Sequence, residues 1–134
     1  MIQVVLGPKG SGKTKRLIDL ANAALKVETG NIAFIDDDTR YMYDLRHEIR
    51  FINAGEYDIK GADALYGMLC GILSIDFDTS VIFIDPLLKL MRYDMDQVRI
   101  LFERVESLCK TCKFVIAYSG DEESAPEYIR CLAI

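Results

Sequence analysis

The most constraining feature of this chain lies at its start. The β-branched apolar run Ile2-Gln3-Val4-Val5-Leu6 stops at Gly7-Pro8, a glycine-rich stretch follows, and from Lys13 the apolar residues recur at helical spacing. Leu17, Ile18, Leu20, Ala21, Ala24 and Leu25 share one face of that helix, and Gly30 is the expected stop behind it. A buried strand, a glycine loop and an amphipathic helix in direct succession commit the chain to an alternating α/β plan.

The rest of the sequence repeats the alternation. Asn31-Ile32-Ala33-Phe34-Ile35 reads as a second buried strand, closed by Asp36, Asp37 and Asp38. Residues 39–47 read as a short helix capped by Thr39 or Asp38, with Tyr41, Leu45 and Tyr43 as its apolar contacts, and 48–52 as a short edge strand. Ala62, Leu65, Tyr66, Leu69, Ile72 and Leu73 make a largely buried helix over 62–74. Val81-Ile82-Phe83-Ile84 is a third core strand ending at Asp85-Pro86. Asp94 opens the clearest helix, whose apolar stripe includes Val98, Leu101, Phe102, Val105, Leu108 and Cys109. Residues 113–118 form a fourth core strand ending at Ser119-Gly120, and 128–133 are expected to close the sheet as a fifth. The order predicts an α/β three-layer sandwich in one domain spanning 1–134: a mostly parallel sheet, helices on both faces, and ligands at the carboxyl ends of the strands.

Composition narrows the functional classes. With 16 Lys and Arg against 21 Asp and Glu the net charge is -5, and such a surface repels nucleic-acid backbones and anionic lipids. No apolar run approaches the roughly 20 residues of a membrane span. The amino terminus lacks the basic region and cleavage site of a signal peptide, so a cytoplasmic protein is expected. Cys109-Lys-Thr-Cys112 is formally a C-x-x-C pair. No second pair or histidine set completes a zinc site, so Cys70, Cys109, Cys112 and Cys131 are expected to be reduced structural thiols. His47, the lone histidine, has no partner that would give it chemistry.

Gly7-Pro8-Lys9-Gly10-Ser11-Gly12-Lys13-Thr14 matches the P-loop pattern at every fixed position, between a strand and a helix as the mechanism requires. Glycines at 7, 10 and 12 let backbone N–H groups turn inward around a phosphate, and the helix behind adds the positive end of its dipole. Lys13 is expected to contact the β and γ phosphates, with the segment Gly7 to Lys15 as the binding loop. The Thr14 hydroxyl suits Mg²⁺, which prefers hard oxygen ligands and arrives with the nucleotide. No Asn-Lys-x-Asp guanine motif occurs, which favours ATP.

With these residues assembled, the chain resembles a minimal RecA-like P-loop ATPase. It is also similar to small clostridial proteins named after the twitching-motility ATPases, through Gly-Pro-Lys-Gly-Ser-Gly-Lys-Thr and Phe-Ile-Asp-Asp-Asp. The amino-terminal domain and the histidine and aspartate boxes of the twitching motors have no counterpart here, so a motor role is not implied. The resemblance implies phosphate binding at Gly12, Lys13 and Thr14, and magnesium contact at Thr14 and at Asp85, which stands at the place of the Walker B acid. Many such ATPases carry a glutamate directly after that acid, whereas this chain has Pro86. A catalytic base is therefore sought at the end of the second strand, in Asp37 or Asp36, although the three acids there equally suit capping and solvation of a strand end, or holding Mg²⁺. Ser119 occupies the place of a polar sensor, although a serine in a turn needs no such role, and Arg92, Arg99 and Arg130 are candidate arginine fingers, as is an arginine of another subunit.

Three functions follow as expectations. The first is an Mg-ATP-binding protein with slow or partner-dependent ATPase activity, in which Lys13, Asp85 and Asp37 carry the chemistry. The others are a nucleotide-sensing interaction protein without catalysis, in which ATP orders residues 36–61 for a partner, and a small-molecule kinase with 86–93 as a short lid. A homo-oligomer or a protein partner is compatible with all three.

Overall fold

The structure, a computed structural model, describes residues 1–134. Five strands form one parallel sheet: β1 (Ile2–Gly7), β2 (Asn31–Asp36), β3 (Arg50–Asn53), β4 (Thr79–Ile84) and β5 (Lys113–Ser119). Their spatial order is β1-β5-β4-β2-β3, so β5 separates the first strand from β4, the strand that leads into Asp85. Every strand carboxyl end therefore lies on the same edge of the sheet.

Near-continuous apolar strands arise because both faces are covered. Val5, Ile32, Phe34, Val81, Phe83, Val115 and Ala117 point to the face packed by Leu17, Ile18 and Ala21 of α1 (Lys13–Ala24). Their alternates Val4, Ala33, Ile35, Ile82, Ile84, Phe114 and Ile116 point to the opposite face, against α2 (Ala62–Ile75) and α4 (Met95–Glu106). Val98, Leu101, Phe102 and Val105 of α4 are buried there, each worth about 1.5–3 kcal/mol in removed apolar surface. Asp94 caps α4 by accepting a hydrogen bond from the Asp96 amide. A short α3 (Leu87–Leu90) follows β4 and buries Leu87 and Leu90 under the sheet edge. No helix is long and apolar enough to cross a membrane.

Three expectations are corrected. Residues 128–133 do not form a strand: Pro126 caps a one-turn α5 (Glu127–Arg130) whose Ile129 is buried and whose Tyr128 packs edge-on against Phe102 at 5.7 Å. Only the last residues reach the sheet, where the Val4 amide donates to Leu132 O and the Ile134 amide to Val4 O, each at 2.9 Å. The edge strand expected at 48–52 is present as β3, on the opposite edge beside β2. Residues 39–47 contain a 3-10 turn at Met42–Asp44 rather than a helix. Asn22 of α1 captures that backbone, donating to Asp44 O and accepting from the Arg46 amide, and Leu45 turns extended to bury its side chain. Tyr43 is 89% exposed rather than packed. Helix α1 ends at Ala24 without using Gly30 as its stop. Gly30 serves close packing instead, since a Cβ there would meet the Asp78 carbonyl oxygen at 2.1 Å.

Candidate functional site

The loop between β1 and α1 sits at the carboxyl edge of the sheet, and its glycines are used for their freedom. Gly10 (φ 83°) and Gly12 (φ 86°) both adopt the left-handed region that costs other residues roughly 1–2 kcal/mol. Gly7 is held at the neighbouring strand, in register with Ser119, and accepts a hydrogen bond from the Gly120 amide at 3.0 Å. A Cβ on Gly7 would meet the Ser11 hydroxyl at 2.3 Å, so the turn closes tightly on its own start. Pro8, Lys9, Gly10, Ser11 and Gly12 are exposed along the crest, and α1 begins behind them with a left-handed Gly12 in place of a side-chain cap. The first-turn amides of α1 are consequently left without a side-chain acceptor, which is the arrangement that favours an anion.

Lys13 is 9% exposed, and its ammonium lies 3.4 Å from the Pro8 carbonyl oxygen, a long contact to a neutral acceptor. Lys15 projects to solvent and pairs with Asp19 at 3.1 Å along the helix. Thr14 turns the other way: its hydroxyl donates to Asp85 Oδ2 at 2.8 Å. Asp85 is 5% exposed. Burial pushes its carboxyl above the usual range, with the Thr14 hydrogen bond and the Lys13 charge opposing that shift. The structure thus brings Lys13, Thr14 and Asp85 together, with β5 bridging the strands that deliver them.

The acids after β2 divide by environment. Asp36 is 4% exposed and ends β2 opposite Asn53, while the amide of Asp85 donates to Ile35 O beside it. Asp36 Oδ1 accepts from the Asp37 amide at 2.7 Å, whereas Oδ2 is buried with no hydrogen-bond partner. Burial raises its pKa to about 7, helped by the charges of Asp85 and Asp38 and opposed by the Asp37 amide. Asp37 meets Lys89 of α3 at 2.6 Å. Its own burial pushes the carboxyl up, but the Lys89 and Asp36 contacts outweigh that and leave it below the usual range. Asp38 accepts from the Arg40 amide and faces the Arg40 guanidinium at 3.8 Å.

Nothing in the spacing of residues 37 and 89 announces the Lys89–Asp37 pair. The visible signal was a lysine in a one-turn helix leaving the acid end of β4. The three arginines are dispersed. Arg99 pairs with Glu103 and lines a cleft beside Met1 and Ile2, at the amino end of β1. Arg130 pairs with Glu127. Arg92 is exposed behind α3 with a left-handed backbone (φ 57°). The segment 86–93 is anchored by buried Leu87, Leu90 and Met91. His47 is exposed beside Glu48. Burial pushes the Cys112 thiol up to about 12, and all four cysteines are free. Comparison with models of known protein families gave no match, and comparison with curated proteins gave none either.

Proposed function

We propose that the chain is a P-loop nucleotide-binding protein that holds Mg-ATP at residues 7–14 and turns it over slowly or only with a partner. The observation that carries this reading is the contact of Thr14 with Asp85 directly beneath a loop whose Gly10 and Gly12 take positive φ. A strand-to-helix turn needs neither that strain nor a buried acid joined to the first turn of the helix. The strand order, with β5 between β1 and β4, is an arrangement we read as RecA-like.

The residues present fit the ligand chemically. Exposed loop amides and the start of α1 offer donors to phosphate oxygens, and the Lys13 ammonium has only a long neutral contact to give up. Thr14 and Asp85 supply the hard oxygens a magnesium ion takes beside phosphates. The ion would neutralise phosphate charge there. Asp85 is already held above the usual carboxyl range, so a bound cation would also relieve its burial.

Slow or assisted turnover follows from what surrounds the candidate bases. Pro86 stands directly after Asp85, and Asp37 is engaged by Lys89, which makes its carboxylate a weak proton acceptor. The same engagement favours, as a second reading, a sensor that binds ATP without cleaving it. Phosphate release from purified protein with Mg-ATP, measured alone and with candidate acceptors, separates hydrolysis, transfer and binding without turnover. Failure to bind any nucleoside triphosphate would refute all three.

A further inference from the structure

From the same sheet edge we infer a second cation site, formed by Asp36, Asp37 and Asp38 and suited to a divalent ion of calcium size. It does not rest on the nucleotide reading: Asp37 is also the candidate base there, but the cation site follows from the burial and spacing of the three acids alone.

One carboxylate oxygen from each of the three residues lies within 4.8 Å of the other two. Three adjacent acids alone would be an ordinary solvated strand end. Asp36 makes the difference: it is 4% exposed, joins no ion pair, and carries a buried Oδ2 without a partner. An unpaired buried acceptor is costly, more so when charged, and a cation bound by the three acids removes that cost.

The local charge favours a metal over another side chain. Lys89 already sits on Asp37 and Arg40 on Asp38, yet neither reaches Asp36. The Lys89 side chain is 58% exposed, so it can withdraw to water when an ion takes its place. A Cβ on Gly55 would meet the Asp37 carbonyl oxygen at 2.1 Å, so the 3-10 turn at Ala54–Tyr57 packs closely against the Asp37 backbone.

Size selects the ion. Calcium, with oxygens at about 2.3–2.6 Å, tolerates ligands up to roughly 4.6–5.2 Å apart. Magnesium, at about 2.0–2.1 Å, requires them within roughly 4.2 Å, and it surrenders its waters reluctantly. Oxygens within 4.8 Å of one another fall inside the calcium range, which makes calcium the probe ion.

The test is calorimetric titration of the nucleotide-free, chelator-treated chain with calcium chloride, with terbium luminescence as a second readout. A single site is expected, with a dissociation constant of about 0.1–1 mM or tighter. Asp36→Asn should weaken it at least about tenfold, and so should Asp38→Asn, whose side chain is partly exposed and whose folding is the safer control. Lys89→Met should tighten it about threefold by removing the competing ammonium. Lys13→Ala, which disables the proposed nucleotide site, should leave calcium affinity unchanged. Absence of a calcium isotherm overturns the proposal, as it would if Asp36 holds only a proton or a water. So does an isotherm that both asparagine variants leave intact, given circular dichroism showing that they are folded.

Discussion

The Thr14 hydroxyl donates to Asp85 Oδ2 at 2.8 Å, joining two residues 71 positions apart across an intervening strand. The contact ties the first turn of α1 to the end of β4, and its acceptor is a buried carboxyl with few other partners. Replacing Thr14 by valine keeps the shape and removes the donor. Thermal or urea unfolding should show a loss of about 1–3 kcal/mol in the ligand-free protein, because Asp85 is left uncompensated. If Asp85 also holds magnesium, Asp85→Asn should make ATP affinity insensitive to added Mg²⁺.

Gly12 tests the loop by its backbone alone. Alanine at φ 86° should cost roughly 1–2 kcal/mol of stability, with the strain confined to the turn. Mg-ATP affinity should fall by a larger factor than that cost explains, since relaxing the strain rotates the loop amides away from the phosphate. Equal losses in stability and binding would mean that the loop is only a turn.

The pH dependence of stability has a definite sign. Asp36 titrates at about 7 in the folded chain against 3.8 as its ordinary value, so the folded state binds its proton more tightly than the unfolded state. This contribution is fully present below pH 3.8 and is lost as pH rises through about 7, at up to about 1.4 kcal/mol per pH unit. With EDTA present, wild type should lose stability between pH 5 and 8 relative to Asp36→Asn, as assayed by urea unfolding. A parallel pH profile for the two proteins would show that burial of Asp36 carries no such cost.

Thiol chemistry should separate the cysteines. Cys131 is exposed, whereas Cys112 is buried with its thiol pushed up to about 12. Brief alkylation at pH 8 followed by peptide mass mapping should label Cys131 and spare Cys112. Rapid modification of Cys112 would contradict its burial before β5.

How much of this was legible follows from where the determinants lie in the chain. The core strands and the helices of the two covered faces were readable, because Val4/Val5 or Ile82/Phe83 alternate between two apolar layers and leave unbroken runs. The loop was readable because its glycines, lysine and threonine are contiguous. What failed depended on distant partners. Asn22 pulls residues 44–46 out of helical bonding, and no local pattern around Leu45 announces that. Tyr128 and Ile129 have the apolar content of a strand, but Pro126 and the Phe102 ring settle them as a helical turn. The acids at 36–38 look equivalent in sequence, and only burial and Lys89 distinguish Asp36 from Asp37.

The central claim is that residues 7–14 bind the phosphates of Mg-ATP. Isothermal titration of Mg-ATP into wild type and Lys13→Ala, both verified as folded, tests it most directly. Saturable one-site binding by wild type, weakened at least about tenfold in the variant, is the expected result, as for loss of a charge-assisted contact of about 1.5–3 kcal/mol. No binding by wild type, or equal affinity in the two proteins, would contradict it.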